Sequence, residues 1–159
     1  MRKQRLFVLV AVVIITLADQ LTKILSLFYL APIKSTSIIP NVLDFTYVMN
    51  KGAAFGMFAN HRWVFMVLTT VVIIALLVYL MVKKSDSKLL TTAFTMIIGG
   101  GIGNMIDRVG RGYVIDFIDV KFVNFYVFNV ADCFVTISCG LIVLYLLVDT
   151  VKSVKKKNG

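Results

Sequence analysis

Glutamate is absent: all eight acidic residues are aspartates, at 19, 44, 86, 107, 116, 119, 132 and 149. Histidine occurs once, as His61 beside Arg62, so a serine–histidine set or a histidine-based zinc site would lack partners. The two cysteines, Cys133 and Cys139, share one predicted helix, on which their spacing turns them about 240° apart. They cannot bridge within that helix, have no CxxC spacing, and read as small buried apolar residues, so no metal site and no cofactor is expected. Charge of either sign is scarce, at 16% against 59% apolar residues, and mean hydropathy is +0.91. A soluble domain carries about a quarter charged residues, which excludes that class and places the chain in a bilayer.

The net charge of +9 raises the question of nucleic acid, and the positions of the basic residues answer it. Arg2, Lys3 and Arg5 precede the first apolar run, Lys83, Lys84 and Lys88 separate the second from the third, and Lys152, Lys155, Lys156 and Lys157 follow the fourth. Such clustering is the positive-inside pattern, and it places both termini and the 83–88 turn in the cytoplasm. No basic face interleaved with aromatics is present, so no nucleic-acid partner is expected.

Four apolar stretches emerge, and the reading is a membrane all-α bundle of four transmembrane helices forming one membrane domain, 1–159. The helices are placed at about 6–30, 63–82, 89–107 and 128–149, with outer loops at about 31–62 and 108–127. The first run resembles a signal-peptide core, but Asp19-Gln20-Leu21-Thr22-Lys23 continues into apolar sequence without a small-x-small cleavage site, so it reads as a retained helix. Alternation over Val42 to Val48 and Tyr113 to Asp119 predicts short strands in the outer loops. Trp63 and the stretch from Phe122 to Phe128 read as interfacial anchors. In the third span, Gly99 and Gly103 have the GxxxG spacing that admits a neighbouring helix, whereas no Gly-Lys-Ser/Thr follows to make a phosphate loop.

Counting from the basic ends at about 1.5 Å per residue puts Asp19 about 21 Å, Asn104 about 24 Å and Asp132 about 26 Å into the membrane. Three helices therefore carry polar groups to one level, the outer third of a hydrocarbon core about 30 Å thick. A charge at that depth costs on the order of 2.5–3.5 kcal/mol, so such residues read as functional with partners nearby. Asp132 could also simply cap the fourth helix, a role compatible with a functional one. Asp116 lies in the alternating strand and reaches Asp132 if the second outer loop folds back over the helix ends. Two carboxylates held together share a proton and can activate water, which hydrolyses an amide without a metal.

The motifs Asp19-Gln20-Leu21-Thr22-Lys23, Asn50-Lys51-Gly52-Ala53-Ala54-Phe55-Gly56 and Gly103-Asn104-Met105-Ile106-Asp107-Arg108 occur in this order. Gly112-Tyr113-Val114-Ile115-Asp116-Phe117-Ile118-Asp119 and Phe128-Asn129-Val130-Ala131-Asp132 follow. With these five the chain resembles lipoprotein signal peptidase, or signal peptidase II, over essentially its whole length. Gly101, where alanine is commoner, and Cys133, where serine or another small residue is usual, are the departures. The resemblance implies that Asp116 and Asp132 are the catalytic pair, and that Asp19, Asn50, Gly52, Asn104, Asp107, Arg108, Asn129 and Ala131 bind substrate or support the site. It implies a strand-rich extracytoplasmic cradle around 42–60. The partner would be a diacylglyceryl-modified prolipoprotein, cut on the amino side of its lipidated cysteine, and the enzyme a monomer among membrane lipids of the bacterial cytoplasmic membrane.

Several residues read more plainly. Asp119, on the strand face opposite Asp116, reads as a solvated loop carboxylate, and Asp44 likewise as a loop residue. Lys23 could snorkel outward with no other task. Arg108 beside Asp107 reads as a structural pair supporting the site, the alternative being an interfacial ion pair worth little. Two other functions are compatible with intramembrane acids: a proton-coupled transporter, which would place them near the midplane in repeated or broken helices, and a glycine-packed scaffold, which leaves the aspartates without a reason.

Overall fold

The computed structural model describes residues 2–52, 62–83, 87–123 and 126–158. Residues 53–56 of the second motif, and His61, Lys84 and Asp86, lie outside the described residues. The elements in order are α1 (Arg2–Leu25), a π-helical turn (Ser26–Leu30), β1 (Ser35–Ile39), β2 (Leu43–Asn50), α2 (Arg62–Val82), α3 (Lys88–Gly110), β3 (Val114–Val120) and α4 (Val130–Asn158). Among the described residues, four helices are long and apolar enough to cross a membrane, and a three-stranded antiparallel sheet joins them. α1 starts at Arg2, α4 starts at Val130, and α4 runs through Asp149 to Asn158, so the basic C-terminal segment prolongs the last helix.

Helix α3 is the hub, packed against α1, α2 and α4. Its glycines explain how. A Cβ on Gly100 would sit 2.6 Å from the Ala131 carbonyl oxygen, and one on Gly103 would overlap the Asp19 carboxylate. Gly99 faces Ile15 and Gly101 faces Ile73, so the run opens α3 to three different neighbours, and the GxxxG pair faces α1.

Two apolar clusters bracket a polar layer. Val8, Leu80 and Ile98 pack with Val12, Ile73 and Phe94 between α1, α2 and α3. Leu30, Ile115 and Phe117 pack with Phe45, Tyr47 and Val130 where the sheet meets the helix ends. Among the buried residues between them are Asp19 and Lys23 on α1 and Asn104 and Asp107 on α3. Outward faces are apolar: Val64, Val67, Leu68, Val71 and Val78 of α2 are all exposed, as a lipid-facing helix requires.

The sheet order is β1-β2-β3. β1 turns back at Pro40-Asn41, where Asn41 takes a positive φ of 60°, a conformation asparagine tolerates. β2 pairs Phe45 with Ile118 but Val48 with Asp116, a one-residue register shift. Because side chains alternate with period 2, that bulge moves Asn50 onto the face that carries Asp116. Asp44 and Asp119 face each other across the same two strands, and Lys121 joins them, its Nζ 3.5 Å from Asp44 and 2.7 Å from Asp119. Neither aspartate is therefore a free loop residue: Asp119 is buried and also accepts from Thr46 Oγ1 at 2.9 Å. The carboxylate in turn raises the Lys121 pKa through its hydrogen bond.

Of the two cysteines, both free, Cys133 is half-buried and Cys139 is exposed at the surface of α4, which corrects their reading as buried packing residues. A small thiol on a helix facing lipid has no burial requirement to meet.

Candidate active site

The first turn of α4 organises the site. Asn129 is its N-cap: the Asp132 N–H donates to Asn129 Oδ1 at 3.0 Å, and the Asn129 N–H donates back to Asp132 Oδ2 at 3.3 Å. This reciprocal pair is a capping box, with aspartate in the place usually held by Glu or Gln. It leaves Asp132 Oδ1 free to accept from Asn104 Nδ2 at 2.7 Å. Capping thus fixes one carboxylate oxygen of Asp132 while the other faces Asn104.

Asp116 arrives from β3, buried at 2% exposure, and accepts from two amides. Asn129 Nδ2 donates to its Oδ1 at 2.6 Å and Asn50 Nδ2 to its Oδ2 at 2.8 Å. Asn50 is itself oriented by the Gly52 N–H, which donates to its Oδ1 at 2.9 Å and so turns the amino group towards Asp116. Burial pushes the Asp116 pKa up to about 6, with the charge of Asp132 adding to the rise and the Asn50, Asn129 and Lys23 interactions opposing it. A carboxylate held there changes protonation state close to neutral pH, the condition for acid–base work.

Beneath the two carboxylates lies a buried ionic layer. Lys23 Nζ is 2.9 Å from Asp19 Oδ2, 3.2 Å from Asp107 Oδ2 and 2.8 Å from Asn104 Oδ1, with no side-chain exposure. Asp19 Oδ1 accepts the Ala131 N–H at 2.9 Å, so the first helix supplies a cap to the fourth. Asp107 also accepts from Arg111 and from the Ile115 N–H at 3.2 Å, which fastens β3 one residue before Asp116. Asn129 Nδ2 closes the network onto Asn104 Oδ1 at 3.1 Å.

Comparison with known proteins decides the class. The family model described as signal peptidase (SPase) II matches residues 10–148. The lipoprotein signal peptidase of Caldanaerobacter subterraneus subsp. tengcongensis is 48% identical over 141 residues, covering 88% of this chain and 94% of its own. That of Brevibacillus brevis is 38% identical, covering 92% and 98%. The chain belongs to the signal peptidase II family. A bacterial membrane enzyme solved by the in meso method at 2.3 Å resolution superposes with a TM-score of 0.81 at 32% identity, over 91% of this chain and 89% of that one. The protein is thus a membrane hydrolase of the aspartic peptidase class.

In this member of the family, Asp19, Asn50, Asn104, Asp107, Asp116, Asn129 and Asp132 meet in one hydrogen-bonded network, with Gly52 and Ala131 joining through their backbone amides. Arg108 is placed differently from its expected pairing with Asp107. Neighbours on a helix point about 100° apart, and Arg108 Nη1 instead reaches the Asn104 carbonyl at 3.4 Å, while Asp107 pairs with Lys23 and Arg111. Lys23 does not snorkel, because three acceptors in the interior hold it there. Gln20 and Arg111 were not anticipated either. Gln20 Nε2 donates to the Gly103 carbonyl at 3.0 Å and to Asp19 Oδ2 at 3.2 Å. The i,i+4 spacings of Asp19 with Lys23 and of Asp107 with Arg111 were the available signal for both ion pairs.

Proposed function

We propose that this peptidase removes signal peptides from diacylglyceryl-modified prolipoproteins, cutting on the amino side of the lipidated cysteine, with Asp116 and Asp132 as its catalytic pair. What carries the reading is the joining of these two carboxylates through one residue: the Asn129 amide donates to Asp116 while its oxygen and backbone N–H hold Asp132. Membership of the family supports the substrate class.

The chemistry follows from sharing one proton between the pair. The ionised aspartate takes a proton from water as the water oxygen attacks the scissile carbonyl, and the protonated one gives its proton to the carbonyl oxygen. Collapse of the tetrahedral intermediate breaks the C–N bond, and a proton passes to the leaving amine of the cysteine. Asn50, Asn104 and Asn129 hold the carboxylates by amide donors, while Asp19, Asp107, Arg108, Gly52 and Ala131 support them. No cofactor enters this scheme.

The reading sets one membrane domain in the bacterial cytoplasmic membrane, both termini cytoplasmic, and the sheet as an extracytoplasmic cradle over the site. The basic residues at 2–5, 83–88 and 152–157 support that orientation. A lipid-anchored peptide presents its scissile bond just inside the interface, at the depth of the pair. The working unit is a monomer surrounded by membrane lipids.

The experiment is cleavage of a diacylglyceryl-modified prolipoprotein by the purified chain in detergent, with mass analysis of the products. Cleavage before the lipidated cysteine, lost in Asp116→Asn and in Asp132→Asn at equal folded amounts, is the expected result. An inert wild type, or a variant that keeps near-full activity, overturns the assignment.

A further inference from the structure

We infer that Lys23 is a positioning residue for the reaction proposed above, acting through Asn104: its ammonium fixes which end of the Asn104 amide faces Asp132. The inference rests on the assignment of Asp132 to the catalytic pair.

The two ends of an asparagine amide are nearly the same size and differ only in hydrogen-bonding sense, so the surroundings decide their order. An ammonium has three donors and no acceptor. Lys23 directs its three at Asp19 Oδ2, Asp107 Oδ2 and Asn104 Oδ1, which leaves none unused. Reversing the Asn104 amide would set its amino group against a fully buried ammonium, donor to donor. The oxygen therefore faces Lys23, and the amino group is delivered to Asp132 Oδ1. Asn129 Nδ2 enforces the same order, donating to the same Asn104 oxygen. The charge of Lys23 is also felt at Asp116, where it favours the ionised form.

The arrangement is directional: Asp19 and Asp107 hold the ammonium, the ammonium orients Asn104, and Asn104 orients Asp132. Neither aspartate of the ionic layer touches Asp132 in this chain of contacts. Lys23 is thus the side-chain link from the buried charges to the reacting carboxylates, beside the backbone contacts of Asp19 with Ala131 and of Asp107 with Ile115.

A double-mutant cycle tests it, using the full-length chain in detergent and a diacylglyceryl-modified prolipoprotein peptide, and reading kcat and KM separately. The variants are Lys23→Met, Asn104→Ala and the two combined. Lys23→Met is expected to lower kcat about 10²-fold, the scale of a misplaced catalytic group, with KM changed by no more than about three-fold. The combined variant is expected to match Asn104→Ala alone, because both remove one interaction. Lys23→Gln is expected to recover part of kcat, since its amide still has an N–H for Asn104 Oδ1. Asp19→Asn with Lys23→Met preserves the balance of buried charge and keeps a carbonyl oxygen for the Ala131 N–H, so the cycle is run in that background as well. Losses that multiply in the combined variant overturn the inference, as does a charge-balanced variant with wild-type kcat. Failure of both Lys23→Met backgrounds to fold also overturns it, because the lysine then serves assembly of the bundle. A wild type that does not cleave is seen before any variant is compared; it sinks the assignment of Asp132 and this inference with it.

Discussion

Asn129 and Asp132 cap each other, each backbone N–H donating to the other's side chain across the first turn of α4. The same asparagine reaches Asp116 with its amino group. The start of a helix is therefore also the device that holds two carboxylates in register, and capping and positioning can be separated by substitution. Asn129→Ser keeps a capping oxygen but is too short to reach Asp116. It is expected to fold and to lose about 10²-fold in kcat. Asn129→Ala is expected to lose the same activity and to be about 1 kcal/mol less stable than Asn129→Ser. Thermal melting and cleavage rates of the two variants check this, and equal stability would show that the cap contributes nothing.

Replacement of either carboxylate is expected to remove cleavage while leaving the fold. Asp132→Asn keeps an oxygen for the Asn129 N–H, so α4 stays capped. Loss of a general acid or base costs about 10²–10⁴-fold. Rates at matched folded amounts decide, and a loss below ten-fold in either variant removes that residue from the pair.

The raised pKa of Asp116 sets a pH dependence of stability. An unfolded aspartate titrates near about 3.9, and the folded one at about 6. The native state thus favours the protonated form, and this stabilisation is present below the unfolded value and lost as pH rises through the folded one. Between pH 4.5 and 7.5 the loss amounts to about 2 kcal/mol. Asp116→Asn has no such titration, so its stability relative to wild type is expected to improve over that range. A difference in melting temperature that stays constant with pH would falsify the burial of an ionisable group at this position.

The glycines of α3 are expected to differ in tolerance. Gly100→Ala places a methyl group 2.6 Å from the Ala131 carbonyl, a backbone atom in the first turn of α4, and should displace that turn and depress both stability and kcat. Gly101→Ala meets side chains alone, Ile73 Cδ1 at 3.1 Å and Cγ1 at 3.3 Å and Thr69 Cγ2 at 3.5 Å, which can shift, and should be close to neutral. Equal effects on melting and activity would mean that α3 and α4 are not held by this approach.

Much of the architecture was legible in the sequence because lipid imposes simple demands: spans show as apolar runs, and buried acids stand out against them. Depth and strand alternation single out Asp132 and Asp116 as candidates, and spacing singles out Gly99 and Gly103. The missing parts depend on relations between distant residues. β1 is exposed along its whole length, so Ser35–Ile39 has no alternation to betray it. The partnership of Lys121 with Asp44 and Asp119 follows from cross-strand register, and the meeting of Asn50 with Asp116 follows from a bulge. Lys23 was ambiguous because a lysine near a helix end can reach water as readily as an interior acceptor. Only the placement of α3 decides between the two.

One feature of α1 bears on how the molecule is made. Asp19 and Lys23 lie a single turn apart and neutralise each other within their own helix, so the first span can enter the bilayer before any partner has been synthesised. Ala131, whose amide Asp19 finally receives, is 112 residues further along. Completion of the site therefore waits for the fourth helix, because Asn129, Ala131 and Asp132 arrive only with it.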